Sequence, residues 1–380
     1  MEKKIKILRV VTQAEVVPWH LKNFLDRSVN DYTIYVAGNN VSRYKAEYPL
    51  INFIDVKIIR KSSPFHDLIA LIKLIQICIK IRPDIVHSIM PKSGFLTALA
   101  GFFTLIPIRV HTFTGQVWAT KSGIAKTLLK FMDKVIFYLN TRCLTDSPSQ
   151  STFLANSAFL RKGQQIHCLG KGSLSGVDLD RFKPASSDDK INFRQSIGLK
   201  PNDFVFVFLA RKSVVKGIVE LFASFEVFHS TKDVKLLFIG PDESNGVLKE
   251  LYDKYQNISD QIISLDIVKE HENYLNASDV LCLPSSSEGF GTIVIEAAAL
   301  KVPTIGFDIV GLSDAIENNQ TGILVQFKNV TAFSDAMKML YENQTKFHEL
   351  RENARARILK DFSADAIYNL QKKFYQSLSK

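Results

Sequence analysis

The stretch VLCLPSSSEGFGTIVIEAAAL, residues 280–300, contains one complete strand–loop–helix unit of an α/β fold. Its first four residues are apolar and predict a buried strand. The serines, Glu288 and two glycines predict a loop, and the helix formers from Thr292 onward predict a helix. Unpaired N–H groups and the positive end of a helix dipole meet at such a junction, so it can bind an anion. A tight turn that carries two solvated glutamates is the alternative interpretation of this stretch alone.

Strands and helices alternate in the same way along most of the chain. The first half has apolar runs at 5–11, 32–38, 53–59, 84–90, 108–113, 143–146 and 165–169, with helical patterns such as 66–82 and 122–139 between them. After a polar segment at 175–189, strands are predicted at 204–209, 236–239, 262–265, 280–283, 303–307 and 322–325, and the chain is helical from Thr331 on. Alternation of this kind predicts parallel sheets that are covered by helices.

We therefore predict an α/β protein with two doubly wound, Rossmann-like domains that face each other across a cleft. The first covers residues 1–180 and the second covers 190–362, and a C-terminal helix at about 363–380 is expected to pack back on the first. Ligands of such sheets bind at the carboxyl ends of the strands. The cleft is therefore the predicted place for the site.

Charge is distributed unevenly along the 380 residues. The formal net charge is +10, and residues 1–170 contribute +13 while residues 171–380 contribute −3. A basic half suggests an anionic partner, which could be nucleic acid, anionic lipid or a phosphorylated acceptor. The four cysteines form no CxxC pair, which favours a reduced compartment. The N-terminal apolar run is too short for a signal peptide, so we expect a cytoplasmic protein, or one bound to the cytosolic face of a membrane.

A second polar segment, ARKSVVKG at 210–217, follows the first predicted strand of the second domain. Cations at the carboxyl end of a strand, beside the start of a helix, are suited to binding a diphosphate. A solvated basic turn is the alternative interpretation. No cluster of residues has the spacing of a metal site, so we predict no metal and no bound cofactor.

The order of these motifs resembles one family. Arg211, Lys216-Gly217, Gly240, the glutamate pair Glu288 and Glu296 with seven residues between them, and Gly322-Ile323-Leu324-Val325 occur as in the GT-B retaining glycosyltransferases of family 4. The segments DSPSQ at 146–150 and HTFTGQ at 111–116 look like the subgroup that builds bacterial O-antigens, capsules and other lipid-linked glycans.

The resemblance implies a role for each matching residue on the donor side. Arg211 and Lys216 would hold the diphosphate of a nucleotide sugar, with UDP favoured, and stabilise its charge as it leaves. Glu288 would bind hydroxyls of the sugar, a hexose or N-acetylhexosamine, and act with the two cations as the catalytic set. Glu296 would bind the ribose. The remaining donor-binding positions are Gly240, Gly289, Phe290, Gly291 and Thr292.

On the acceptor side the chain departs from the family pattern. The N-terminal loop, which contains Trp19, lacks the paired glycines, Thr114 stands where many members have histidine, and Asp266 stands where glycine is common. His111 lies three residues before Thr114, where a buried structural histidine is the favoured interpretation. Trp19, His111 and Thr114 are the candidate acceptor-side residues, for a polyprenyl-diphosphate-linked or saccharide acceptor.

Helices 66–82 and 122–139 combine lysines with aliphatic residues. We expect the lysines to form a solvated face and the aliphatic residues a core face. The alternative, favoured by the charge of this half, is that the first domain lies on an anionic membrane surface.

Two other functions fit parts of the sequence. A nucleotide-sugar epimerase would share the fold but would use no acceptor, and the glutamate pair with Arg211 and Lys216 argues against it. A nucleic-acid-binding protein would need basic and aromatic residues on one surface, and the negative charge of the second half does not favour it, so no nucleic acid partner is predicted.

Overall fold

The computed structural model describes residues 4–61, 63–157, 160 and 166–378. The chain divides into two compact units. Unit 1 is Met1–Gly176 together with Ala364–Lys380, and unit 2 is Val177–Ser363.

Unit 1 contains a parallel sheet of seven strands in the order β3-β2-β1-β4-β5-β6-β7. The strands are β1 Ile5–Gln13, β2 Tyr32–Asn39, β3 Asn52–Asp55, β4 Ile85–Ile89, β5 Ile108–Phe113, β6 Arg142–Thr145 and β7 His167–Cys168. The helices that follow them in this half are α1 Lys22–Ser28, α2 Pro64–Ile81, α3 Pro91–Phe103, α4 Gly123–Leu139 and α5 Pro148–Asn156. Side chains alternate across β1, so that Ile7 and Val11 join one apolar core while Leu8 and Val10 join another on the opposite face.

Unit 2 contains a parallel sheet of six strands in the order β10-β9-β8-β11-β12-β13. The strands are β8 Phe204–Leu209, β9 Val234–Ile239, β10 Ile262–Leu265, β11 Val280–Leu283, β12 Thr304–Phe307 and β13 Gly322–Val325. Its helices are α6 Ser187–Ser196, α7 Ile218–Phe225, α8 Val247–Lys254, α9 His271–Asn276, α10 Thr292–Ala299, α11 Leu312–Ala315, α12 Val330–Glu342 and α13 Gln344–Arg357. The strand order reverses between β8 and β11, and such a switch point is where open parallel sheets bind ligands.

The last helix, α14 Ala364–Leu378, returns to unit 1 and packs on α1. Its anchor is the buried Tyr375, whose hydroxyl accepts a hydrogen bond from Arg9 Nη1 at 2.7 Å and lies 2.5 Å from His87 Nδ1. Burial holds the pKa of His87 well below its usual value, and the nearby Arg9 acts in the same direction. The C-terminal helix is thus attached to the middle of the first sheet.

The predicted α/β class with two parallel sheets is confirmed, and two predicted elements need correction. The strand expected at 53–59 ends at Asp55, where the carboxylate accepts a hydrogen bond from the Ser42 N–H at 3.0 Å. Val56 and Ile58 are buried just beyond this edge strand, where the Val56 N–H still donates to the Gly38 carbonyl of β2 at 2.8 Å. The strand expected at 165–169 is reduced to β7, and residue 165 lies outside the described part of the chain.

The prediction for residues 66–82 is correct for the lysines, since Lys73 and Lys80 are exposed, and wrong for the aliphatic residues, which are not confined to a core face. Apolar side chains of α2 lie on both of its faces: Leu74 and Ile77 are buried, whereas Phe65, Ile69 and Ile72 are exposed. Leu128 on α4, which we expected among the core-facing aliphatic residues, is exposed too. Within the described residues, no helix is both long enough and apolar enough to cross a membrane.

Candidate active site

The loop after β8 carries three cations, and the structure separates their roles. Lys212 is buried, and its Nζ donates to Ser264 Oγ at 2.9 Å and to the Leu265 carbonyl at 2.8 Å. Burial lowers the pKa of Lys212, although Asp266 and Asp242 act against that shift. Lys212 is therefore a structural cation that links β8 to the end of β10.

Arg211 points the other way and pairs with Glu243, with Nη1 at 2.5 Å from Oε2. Neighbouring side chains of an extended segment point to opposite sides, and the bridge between Lys212 and Asp242 shows that this segment is strand-like. We expected Arg211 and Lys216 to act together on a diphosphate. In the structure Arg211 pairs with Glu243 and Lys216 pairs with Glu288.

Lys216 and Glu288 form the central contact of the site. Lys216 ends a short 3₁₀ turn, Val214–Lys216, and its Nζ lies 2.6 Å from Glu288 Oε1. Both side chains are mostly buried, so water screens the pair less than an exposed one. The two loops are also joined through the backbone, since the Ser286 N–H donates to the Val215 carbonyl at 2.9 Å. The loops after β8 and β11 therefore form one surface at the switch point.

Two glycines allow the backbones of the site to approach closely. Gly217 has φ of +81°, and a Cβ placed there would lie 1.9 Å from the Pro284 carbonyl oxygen. Gly311 has φ of +92°, and its Cβ would lie 2.4 Å from the Gly289 carbonyl oxygen. Any larger residue would push the loop around Glu288 out of place. Glycine is therefore required at positions 217 and 311 both for close packing of the backbones and for their positive φ.

The start of α10 supplies backbone groups to the same surface. Gly291 precedes the helix with φ of +85°, and no side chain caps it. The first N–H groups of a helix have no partner within the helix, so those of Thr292 and Ile293 are suited to meet an anionic ligand. Phe290 is buried with its ring 5.4 Å from that of Phe362, so only its backbone can serve the predicted donor contact.

Glu296 lies in the second turn of α10 and has a partner that sequence reasoning missed. His271 Nε2 lies 3.1 Å from Glu296 Oε2. The adjacent Glu272 is held by Arg181 through two hydrogen bonds, of 2.9 and 2.8 Å, and the Phe182 ring packs 5.4 Å from the imidazole. These contacts hold His271 in place and so fix the orientation of the Glu296 carboxylate. His271 is 25 residues from Glu296, and no spacing signal in the sequence connects them.

Gly240, the remaining donor-side candidate, is at the end of β9. Its φ is +138°, and a Cβ there would lie 1.9 Å from the Ala210 carbonyl oxygen. The close approach to the loop after β8 explains why glycine is required. Gly240 supports the position of the Arg211 segment, and a direct donor contact stays a prediction.

The acceptor-side candidates in unit 1 have different environments. His111 is buried, with Nδ1 at 2.9 Å from Ser88 Oγ and its ring against Gly94 at the start of α3. Burial lowers the pKa of His111 to about 3, so the ring is neutral at physiological pH. As placed, this side chain packs inside the unit and does not present itself to an acceptor, in line with the favoured interpretation. Thr114 is half-buried and Trp19 is exposed.

In the part of the chain that the structure describes, no three His, Cys, Asp or Glu side chains are grouped so that they could hold a metal ion. Metal independence stays a prediction.

The fold and this charged site at a switch point define a doubly wound α/β protein with a candidate ligand site, and comparison with known proteins identifies its family. The family model described as "Glycosyl transferases group 1" matches residues 189–357, and the one described as "Glycosyl transferase 4-like" matches residues 6–145. The chain belongs to this glycosyltransferase family, and the predicted resemblance is confirmed. Glycosyl transfer is accordingly its class of activity.

Individual relatives agree with this assignment. The chain is 27% identical to the capsular polysaccharide biosynthesis glycosyltransferase CapM of Staphylococcus aureus, over 100% of this chain and 98% of that protein. It is 24% identical to an Escherichia coli UDP-Gal:alpha-D-GlcNAc-diphosphoundecaprenol alpha-1,3-galactosyltransferase, over 84% of each chain. The structure of Anabaena Alr3699/HepE in complex with UDP superposes with a TM-score of 0.80 at 15% identity, over 98% of this chain and 100% of that one. That likeness supports the GT-B fold class.

Proposed function

We propose that this protein is a retaining glycosyltransferase of bacterial surface polysaccharide synthesis. It would move a hexose or N-acetylhexosamine from a nucleoside-diphosphate sugar, with UDP favoured, to a lipid-linked or saccharide acceptor. Unit 2 would bind the donor and unit 1 the acceptor, in the cytoplasm or at the cytosolic face of the membrane. The observation that carries the proposal is the Lys216–Glu288 pair, 2.6 Å apart at the switch point of the second sheet.

This pair suits a donor that carries both a diphosphate and a sugar. Without a ligand, the ammonium and the carboxylate neutralise each other. A bound donor offers partners to both groups, because phosphate oxygens attract Lys216 while sugar hydroxyls donate to Glu288. The charge that develops on the leaving diphosphate would then be stabilised by a group already in place, which is the usual source of electrostatic catalysis.

The backbone around this pair extends the donor site on both sides. The N-terminal N–H groups of α10 are suited to the second phosphate or the sugar, and Glu296 is suited to the ribose hydroxyls. Retention would result when the acceptor attacks the face from which the diphosphate leaves. We propose further that no metal ion is needed, because Lys216 supplies positive charge at the diphosphate and Arg211 lies in the same loop.

The relatives support the donor and the acceptor by analogy. The Escherichia coli relative uses UDP-galactose and a diphosphoundecaprenol acceptor, and the Anabaena structure contains UDP. The Staphylococcus aureus relative acts in capsule synthesis. These are all glycosyltransferases or complexes of that fold class, and nothing in them supports the alternative epimerase function.

A ligand screen followed by a transfer assay tests the proposal. A nucleotide sugar at a hundred times its dissociation constant is expected to stabilise the protein by about 2.7 kcal/mol. The stabilising donor is then incubated with lipid-linked and saccharide acceptors, with and without EDTA, and the anomeric configuration of the product is read by NMR. Stabilisation by no nucleotide sugar, an inverted product, or loss of activity in EDTA would each contradict a stated part of the proposal.

A further inference from the structure

Helix α2 of unit 1 is apolar on the side that faces away from the rest of that unit. Its outward stripe consists of Phe65, Ile69, Ile72 and Ile79, and all four side chains are exposed, Phe65 to 71%. The buried residues of α2, such as Leu74 and Cys78, lie on the opposite side. A helix that packs on a sheet needs one apolar stripe, and the outer face is normally polar. The second stripe therefore has no function in the fold of unit 1.

Helix α4 repeats the pattern with the same spacing. Its outward stripe is Ile124, Leu128, Phe131 and Tyr138, which are again residues i, i+4, i+7 and i+14, and Ile124 is 88% exposed. Both helices pack against α3, which lies between them. We call these two stripes together the α2/α4 face. Exposed apolar groups on two helices that flank the same helix can contribute to one patch of the kind that marks a binding surface.

The charge around the α2/α4 face has one sign. Residues 56–142 contain 13 Lys and Arg and three Asp and Glu, so this segment carries a formal charge equal to the +10 of the whole chain. Each of its three acidic side chains has a partner inside the unit. Asp67 pairs with Lys92, Asp84 accepts from the Lys6 N–H, and Asp133 accepts from the Trp118 indole.

The lysines lie where they can flank the apolar stripes. Lys73 and Lys80 on α2 are exposed and stand to one side of its stripe, and Lys134, three residues after Phe131, stands beside the stripe of α4. Such lysines can reach anionic headgroups while the apolar stripe enters the boundary of the acyl region. A second copy of this chain is disfavoured as the occupant, because two like faces would bring the same positive charge together.

We propose that the α2/α4 face is a docking surface for a bilayer that contains anionic lipid. The two helices lie along the membrane surface, with both apolar stripes in the headgroup region and the lysines at lipid phosphates. This inference rests on the surface of unit 1 and does not depend on the donor site of unit 2. It would hold or fail whatever sugar the protein transfers.

Vesicle flotation with the full chain tests this surface. Wild-type protein is mixed with phosphatidylcholine vesicles or with vesicles that also contain phosphatidylglycerol, at low and at high salt. We expect binding to the anionic vesicles that is weakened by salt, because salt screens the lysines while the apolar contribution remains. The variant Phe65→Ser with Ile124→Ser should partition about tenfold less, since it removes one apolar side chain from each stripe.

A matched control separates this surface from apolar exposure in general. Leu50→Ser with Ile267→Ser removes two side chains of similar exposure, 71% and 77%, that lie outside the α2/α4 face. This control should float like the wild type, and Lys73→Gln with Lys80→Gln should lose binding only to the anionic vesicles. All four substituted stripe and control side chains are exposed, so thermal unfolding should be unchanged.

Three outcomes would overturn the proposal. The first is that wild-type protein does not float with anionic vesicles at low salt. The second is that the stripe variant and the control variant lose binding equally. The third is that light scattering shows a wild-type dimer which the stripe variant converts to a monomer without any vesicle binding, since the face would then be an interface between copies of this chain.

Discussion

Unit 1 and unit 2 each bury an aspartate, but they treat its charge in opposite ways. In unit 1, Asp133 on α4 accepts a hydrogen bond from Trp118 Nε1 at 2.8 Å, and among the described residues no cation pairs with it. Burial raises its pKa to about 7, against the effect of that hydrogen bond. In unit 2, Asp279 before β11 lies 2.9 Å from Lys190 Nζ and 2.7 Å from Arg194 Nη2. Unit 2 thus places two cations at the carboxylate of Asp279, whereas unit 1 gives Asp133 a neutral donor.

The same contrast holds where the strands end. In unit 2 the side chains there include carboxylates with close partners: Lys216 forms an ion pair with Glu288, and His271 contacts Glu296. In unit 1 the corresponding contacts include neutral ones, such as Thr12 Oγ1 with Ser93 Oγ at 3.1 Å, beside the exposed ion pair of Arg43 with Glu15. Charged chemistry is therefore expected of unit 2, whereas the distinctive surface of unit 1 is the apolar α2/α4 face with its lysines. The predictions below test this division of roles.

The largest effect is expected for the central ion pair of unit 2. Glu288→Gln and Lys216→Ala should each lower kcat by roughly 10²–10³-fold, because each removes a preorganised charge from the reacting centre. Release of nucleoside diphosphate measures the rate, and circular dichroism checks the fold. Glu352→Gln is the control, since it removes the exposed ion pair with Lys301 in the same unit and should leave kcat unchanged. Wild-type rates in both site variants would contradict the assignment.

Replacing Asp133 or Asp279 by asparagine should change the free energy of unfolding in opposite directions. The folded pKa of Asp133 lies above its unfolded value, so its contribution to stability is present at low pH and is lost as pH rises through about 7. Asparagine does not ionise, so Asp133→Asn does not lose this stability as pH rises. Relative to wild type it should gain about 3 kcal/mol in free energy of unfolding at pH 8 and almost nothing at pH 4.

Asp279→Asn is the counterpart in unit 2. It leaves Lys190 and Arg194 without their carboxylate, so it should cost about 3 kcal/mol at pH 8. Urea unfolding of both variants from pH 4 to pH 8 measures the two changes. A pH-independent effect of Asp133→Asn would show that this carboxyl does not titrate as its burial implies.

Two Gly→Ala substitutions in unit 2 separate the effect of backbone crowding on stability from the effect of a positive φ. Gly217 and Gly246 both have positive φ, +81° and +95°, but a Cβ at Gly246 would meet nothing within 4 Å. Gly217→Ala should therefore destabilise the protein by about 2 kcal/mol more than Gly246→Ala, because it adds a clash with the Pro284 carbonyl to the same backbone strain. Denaturant unfolding measures the difference. Equal losses would mean that the two loops can separate without cost.

The smallest effect concerns the orientation of Glu296. His271→Gln should raise the Kd of UDP about fivefold, as expected when one hydrogen bond to a charged group is lost. If His271 positions the carboxylate for the ribose, preference for UDP over its 2′-deoxy analogue should fall as well. Calorimetry with both ligands measures this preference, with Glu296→Gln as the reference for its full loss. An equal loss for both ligands would place His271 outside the ribose contact.

Much of unit 2 was predictable because its signals are local. The apolar run before Pro284, the glycines at 289 and 291 and the helix formers after Thr292 act within one short segment, and the structure has β11, the loop and α10 there. In unit 1 the extent of β3 was overestimated. The burial of Val56 and Ile58 depends on packing beside an edge strand, and periodicity does not distinguish that from a ladder.

By itself, the sequence determined the two α/β units, the order of their strands along the chain and the place of the glutamate pair, because hydrophobic period and turn residues are read over a few neighbours. Only the tertiary structure decided which groups meet. It brings Lys216 to Glu288 across 72 positions, gives Glu296 its contact with His271, and turns Lys212 inward while Arg211 faces Glu243. It also decided that α2 has a second apolar side open to solvent. A side chain's surroundings depend on which face of its helix or strand meets the sheet, and contacts far away in sequence set that orientation.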